Sequence, residues 1–242
     1  MSEAVLWGAV AASSLVAGAL VGGLIRIPQR SIGLLMGFGA GALISAVSFD
    51  LADEALSVGG ADSLAVGLAI GALSYYLGDR ALESTGRHGR RRRPHGVDAE
   101  AGATALLLGA LLDGIPEQAA IGLGLATGGQ VGAALVAAVF ISNVPESLAS
   151  AEAMRHAGRP RSHVVRLWGA VGLVCVGATV LGYLVLEGVS GNVQGAVQGF
   201  AAGAILVMLT DAMIPEALKH GGRTTGLVTV LGFAVAVLLS QR

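Results

Sequence analysis

The chain has 242 residues, of which 54% are hydrophobic and only 13% charged, with a formal net charge of −1 and a mean hydropathy of +0.73. Soluble domains carry about 25% charged residues. This composition therefore excludes a soluble globular domain and gives no basis for nucleic-acid binding; it predicts a multi-pass protein of the cell membrane.

A span needs about 20 predominantly apolar residues. On that ruler the chain reads as eight: 4–25, 32–56, 61–78, 101–127, 130–154, 164–187, 195–218 and 224–240. The first lacks the basic leader and small-residue cleavage site of a secretory signal, so it is read as a true span. Span 2 ends on Asp50, Asp53 and Glu54, and span 3 is followed by a basic cytoplasmic loop at 79–100. Span 4 carries Asp113-Gly-Ile-Pro116-Glu117, span 5 carries Ser142-Asn143-Val-Pro145-Glu146, and span 7 carries Asp211-Ala-Met-Ile-Pro215-Glu216. Span 6 offers no mid-membrane carboxylate, only Glu187 at its outer end, and its Cys175 has no second cysteine to pair with. Connections are short, so 1–242 is expected to form one transmembrane domain.

All but one of the fifteen basic residues fall on alternate connections. Arg26 and Arg30 follow span 1; Arg80, Arg87 and the run Arg90 to Arg93 follow span 3. Arg155, Arg159, Arg161 and Arg166 follow span 5, and Lys219 and Arg223 follow span 7; only Arg242 lies on the other side. Positive charge is retained in the cytoplasm, which puts both termini outside. The arginine run, flanked by His88 and His95, is read as topogenic charge that also contacts anionic lipid.

An internal repeat organises the spans. Residues 37–56 align without gaps on residues 199–218, with eight of twenty positions identical, and end on the shared Glu-Ala-Leu. The alignment adds Asp53-Glu54 as a proline-free counterpart of Pro215-Glu216. Spans 2 and 7 run in opposite directions, as do spans 4 and 5. The expected fold is thus all-α, eight transmembrane helices in a 3+2+3 inverted-repeat arrangement. Such repeats place the binding site near the bilayer midplane on interrupted helices, where the Pro-Glu pairs lie.

A buried ionisable group costs at least ~2.5 kcal/mol at the bilayer centre. Asp113 and Glu117 are four apart, hence on one helical face with Cβ atoms about 5–6 Å apart. Each proline lacks an N–H and leaves the carbonyl four residues earlier, on Leu112, Ile141 or Asp211, without its helical donor. No Lys or Arg lies near the middle of a span to neutralise these acids. Carboxylates that would otherwise repel one another, beside freed carbonyls, make an oxygen-rich site whose natural counter-charge is a divalent cation.

The paired x-x-Pro-Glu motifs of spans 4 and 5, on an eight-span bundle with both termini outside, resemble those of the ZIP (Zrt/Irt-like) divalent metal transporters. The resemblance implies metal ligands at Asp113, Glu117, Ser142, Asn143 and Glu146, with Asp113 standing where a histidine is usual and Gly114 where an Asn or Asp is usual. Gln118 and Ser147 stand where glycine is usual. Pro215-Glu216 and Asp53-Glu54 are similar to the pairs that members carry near the ends of spans 2 and 7. No histidine lies in a span, which favours harder ions such as Mn²⁺ or Fe²⁺ beside Zn²⁺.

The expected route runs from an outer docking point at Asp50, Asp53 and Glu54, through the midplane site, past Asp211 and Glu216 to the cytoplasm. The metal is bound as substrate, no cofactor is implied, membrane lipids are partners and a homodimer is left open. A proton- or sodium-coupled carrier of an organic solute is the alternative. Few aromatic residues exist to line a solute site, and Trp7, Tyr75 and Trp168 are placed near span ends. An intramembrane enzyme would need Gly-x-Gly-Asp, Gly-x-Ser-x-Gly with a membrane histidine, or His-Glu-x-x-His, and none occurs.

Overall fold

The computed structural model describes residues 1–91, 99–126, 133–156, 158–186 and 188–240. They form helices joined by short turns. Helix α1 is Ser2–Leu24 and α2 is Gln29–Ala46, the latter continuing through a π-helical stretch, Val47–Ala52, into α3, Asp53–Arg91. Helices α4 (Ala99–Ala126), α5 (Ala133–His156) and α6 (Arg161–Val185) follow. Helix α7 (Gly191–Met208) passes through a second π-helical stretch, Leu209–Met213, into α8 (Ile214–Gly221), and α9 (Thr225–Ser240) closes the chain. In the ungapped alignment of the two halves Val47 falls on Leu209, so both π-helical stretches begin at the same repeat position.

Breaks occur where sterics demand them. Inside α3 the backbone turns at Gly60, whose φ of 75° excludes most side chains, and this turn separates the predicted spans 2 and 3. Gly222, with φ 68°, ends α8 in the same way. Pro116 and Pro145 lie within continuous helix. Residues 79–91, expected as loop, are helical; no proline occurs before Pro94, and Ala, Leu, Glu and Arg favour helix. Arg92, Arg93 and His95 of the basic run, and likewise Glu187 and Arg242, lie outside the described residues.

Five helical stretches among the described residues are long and apolar enough to cross a membrane. Two of them, Gln29–Leu82 and Gly191–Ser240, span 54 and 50 residues, more than twice the ~20 that one crossing uses. Many large aliphatic side chains point outward: Leu173, Leu227, Leu238 and Val230 are 66–75% exposed. Fully buried positions are instead rich in alanine, among them Ala4, Ala11, Ala19, Ala40 and Ala138. In lipid a leucine gains nothing by turning inward, and helices associate by close backbone contact through small residues.

The main helix pairs are α3 with α7, α2 with α9, α1 with α5, α4 with α6 and α1 with α6. Each of the first four is a glycine seam. A Cβ on Gly67 or Gly71 would run into the backbone of Ala196 or Phe200 on α7, and one on Gly41 into Thr229 of α9. Gly22 lies against Leu148 of α5, and Gly122 against Thr179 of α6. The substitution Gly67→Leu is therefore expected to cost about 1–3 kcal/mol, the usual penalty of overpacking, and to lower the thermal unfolding midpoint in detergent. Gly177→Ala, with no atom within 4 Å of the added carbon, should leave that midpoint unchanged or slightly higher.

Candidate metal site

Helices α2, α4, α5 and the α7–α8 break enclose a cavity of about 400 Å³. Its lining is Met36, Asp113, Glu117, Ser142, Glu146, Met208, Asp211, Ala212, Met213, Pro215 and Glu216. Gly39 of α2 makes this convergence possible: a Cβ there would lie 3.0 Å from both the Met213 methyl and the Ser142 Cα. Five carboxylates thus face one space, with no aromatic, lysine or arginine side chain in its lining.

Burial grades along the cavity. Glu117 is 2% exposed, Asp113 and Glu146 are half-buried, and Asp211 is exposed. The Ser142 hydroxyl faces the Glu117 carboxylate at 3.2 and 3.4 Å and lies 2.9 Å from the Val139 carbonyl, so its single proton is shared among alternatives. Asp113 Oδ1 accepts a hydrogen bond from the Tyr75 hydroxyl. At the exposed end, Glu216 accepts from Lys219 at 3.1 Å and pairs with His220 Nε2 at 2.7 Å. Among the described residues no three His, Cys, Asp or Glu side chains close around a single point. The acids line the cavity together with the Ser142 hydroxyl and three methionine thioethers.

Of the residues singled out in the sequence, Asp113, Glu117, Ser142, Glu146, Asp211 and Glu216 share this cavity. Asn143 does not line it. That residue is 1% exposed, and neither its amide oxygen nor its nitrogen has a hydrogen-bond partner. Asp50, Asp53 and Glu54 sit at the first π-helical stretch and the start of α3, outside the lining. Asp50 Oδ1 accepts from Ser240 Oγ at 2.9 Å, which ties that stretch to the end of α9.

Sequence reasoning overlooked Met36, Met208 and Met213, which carry no signal in an apolar run. Tyr75 and Trp168, read as lying near span ends, are both buried, at 3% and 1% exposure.

Comparison with known proteins shows the family. The family model described as ZIP zinc transporter matches residues 78–240, the stretch that holds every acid of the cavity. The zinc transporter ZIPB of Bordetella bronchiseptica is 33% identical over 256 aligned positions, covering 98% of this chain and 80% of that protein. The chain belongs to the ZIP zinc transporter family. Its function is accordingly the movement of a divalent metal cation across a membrane.

The departures from the usual ZIP motifs have local causes. Gly114 faces α6, where a Cβ would come within 3.0 Å of the Cys175 sulfur, so an Asn or Asp there would meet a neighbouring helix. Gln118 is buried and accepts a 2.7 Å hydrogen bond from Thr179 of α6. The Ser147 hydroxyl donates to the Asn143 carbonyl at 2.8 Å, opposite Gly18 of α1. All three serve helix packing in this ZIP protein.

The gradient of exposure predicts a gradient of reactivity. In purified protein, Asp211→Cys and Glu216→Cys should react rapidly with a charged thiol reagent. Glu117→Cys should react at least tenfold more slowly, and native Cys175, 0% exposed, should contribute little background. Equal rates at all three positions would contradict the cavity described above.

Proposed function

We propose that this ZIP transporter carries Zn²⁺, or a harder first-row ion such as Mn²⁺ or Fe²⁺, from outside the cell membrane to the cytoplasm along its carboxylate passage. The observation that carries this reading is that acids from α4, α5 and the α7–α8 break line one cavity without any basic side chain among them. The family and the similar zinc transporter of Bordetella bronchiseptica support zinc. The donor set, rich in oxygen and lacking an imidazole beside the buried acids, supports admission of harder ions. The same lining speaks against an organic solute, which would need aromatic or basic groups to hold it.

The ion is held first at the buried end by Asp113, Glu117, Ser142 and Glu146. It is then handed to Asp211 and Glu216, where Lys219 and His220 compete for the last carboxylate. Asn143, with both amide groups unpartnered, joins the ligands when α5 rotates. Asp50, Asp53 and Glu54 form the outer docking point. Eight crossings with both termini outside account for the placement of the basic residues. The inverted repeat is supported by matched packing: α3 on α7 corresponds to α9 on α2, and α1 on α5 corresponds to α6 on α4.

Purified protein in liposomes tests the reading. Wild type should take up Zn²⁺, Mn²⁺ or Fe²⁺ in preference to Mg²⁺, and Glu117→Ala should transport at least tenfold more slowly. If no divalent ion moves, or the variant matches wild type, the passage is wrongly assigned.

A further inference from the structure

Tyr75 is a buried side chain behind the cavity lining, and its hydroxyl has no part in the route described above. It belongs to α3, which packs chiefly on α7, whereas its acceptor Asp113 belongs to α4, which packs chiefly on α6. The two helices meet where Leu112 lies over Gly78; a Cβ on that glycine would stand 3.1 Å from the leucine Cδ1. This close approach brings the Tyr75 hydroxyl onto Asp113 Oδ1.

A donor fixed on one oxygen of a ligating carboxylate has two effects. It sets the rotamer, so that the second oxygen is the one presented to the cavity. Outer partners of this kind typically govern metal affinity by 10–100-fold. It also occupies one lone pair of the first oxygen and draws on its charge, so binding through the second oxygen is favoured over binding through both. Ca²⁺ takes 6–8 oxygens and often two from one carboxylate, whereas the smaller transition-metal ions complete a tighter shell with fewer ligands.

We propose that Tyr75 is a positioning and specificity-determining residue: it holds Asp113 as a one-oxygen ligand, so that the site accepts small divalent transition-metal cations and disfavours calcium. The proposal rests on the reading of Asp113 as a ligand.

The test uses the full chain, purified as wild type, Tyr75→Phe, Asp113→Ala and the double variant, with affinities for Zn²⁺, Mn²⁺ and Ca²⁺ measured by calorimetric titration. Phenylalanine keeps the ring in its packing, and equal thermal unfolding midpoints verify this. Tyr75→Phe should weaken Zn²⁺ and Mn²⁺ binding by about tenfold or more and leave Ca²⁺ binding equal or tighter, narrowing the selectivity ratio by the same factor. Added to Asp113→Ala, it should change nothing further. A parallel fall for all three ions, unchanged affinities, tighter Zn²⁺ binding, or a persisting effect without Asp113 would each overturn the proposal. Asp113→Ala binding metal as wild type does would instead remove Asp113 from the site, and the distinction is visible without Tyr75→Phe.

Discussion

Helices in lipid must be held together without a hydrophobic drive, because the tails are as apolar as the side chains. The structure meets that constraint with backbone-to-backbone contact. Gly67 and Gly71 of α3 against α7, Gly41 of α2 against α9, Gly22 of α1 against α5 and Gly122 of α4 against α6 each sit where a single added carbon would strike a neighbouring main chain. Seams this close leave little volume between helices, and the acids of α4, α5 and the α7–α8 break share a cavity of about 400 Å³ beside them. Gly39 belongs to the same scheme, since its missing side chain admits both the Met213 methyl and the α5 backbone beside Ser142.

Within that cavity the chemistry follows from what is missing. Five acids share a low-dielectric space with no lysine or arginine in its lining, and carboxylates so placed repel one another unless a cation or a proton intervenes. The requirement for a counter-charge is therefore built into the apo protein. Polarity rises toward Glu216, which accepts from the Lys219 ammonium and pairs with His220. An ion moving in that direction exchanges protein ligands for water gradually, which avoids one large desolvation step.

The helices were legible because the spans are long and apolar, and the acids stood out because carboxylates are rare and expensive in such runs. Asp113, Glu117, Ser142 and Glu146 meet in one cavity, and Asp211 and Glu216, expected farther along the route, line the same space. What sequence could not supply was helix rotation about a kink or surplus turn. Asn143, adjacent to Ser142 in the motif, faces away from the cavity, and Gly114 turns toward Cys175. Tyr75 was placed near a span end, and nothing in its spacing signalled that its hydroxyl meets Asp113 of α4. Methionine was invisible for a simpler reason: a thioether lining a cavity and one filling a core have the same hydropathy.

The two π-helical stretches, at Val47–Ala52 and Leu209–Met213, each hold a surplus residue within an otherwise α-helical rod. Such a surplus can migrate: passing it one position along restores α geometry behind it and loosens the turn ahead. Each step turns the intervening residue by about 100° around the axis at the expense of one hydrogen bond exchanged for another. Asp211 and Asp50 both lie inside these stretches. A carboxylate so placed would be turned by such a shift while the ends of its helix stay fixed, so adjustment at Asp211 requires no loop.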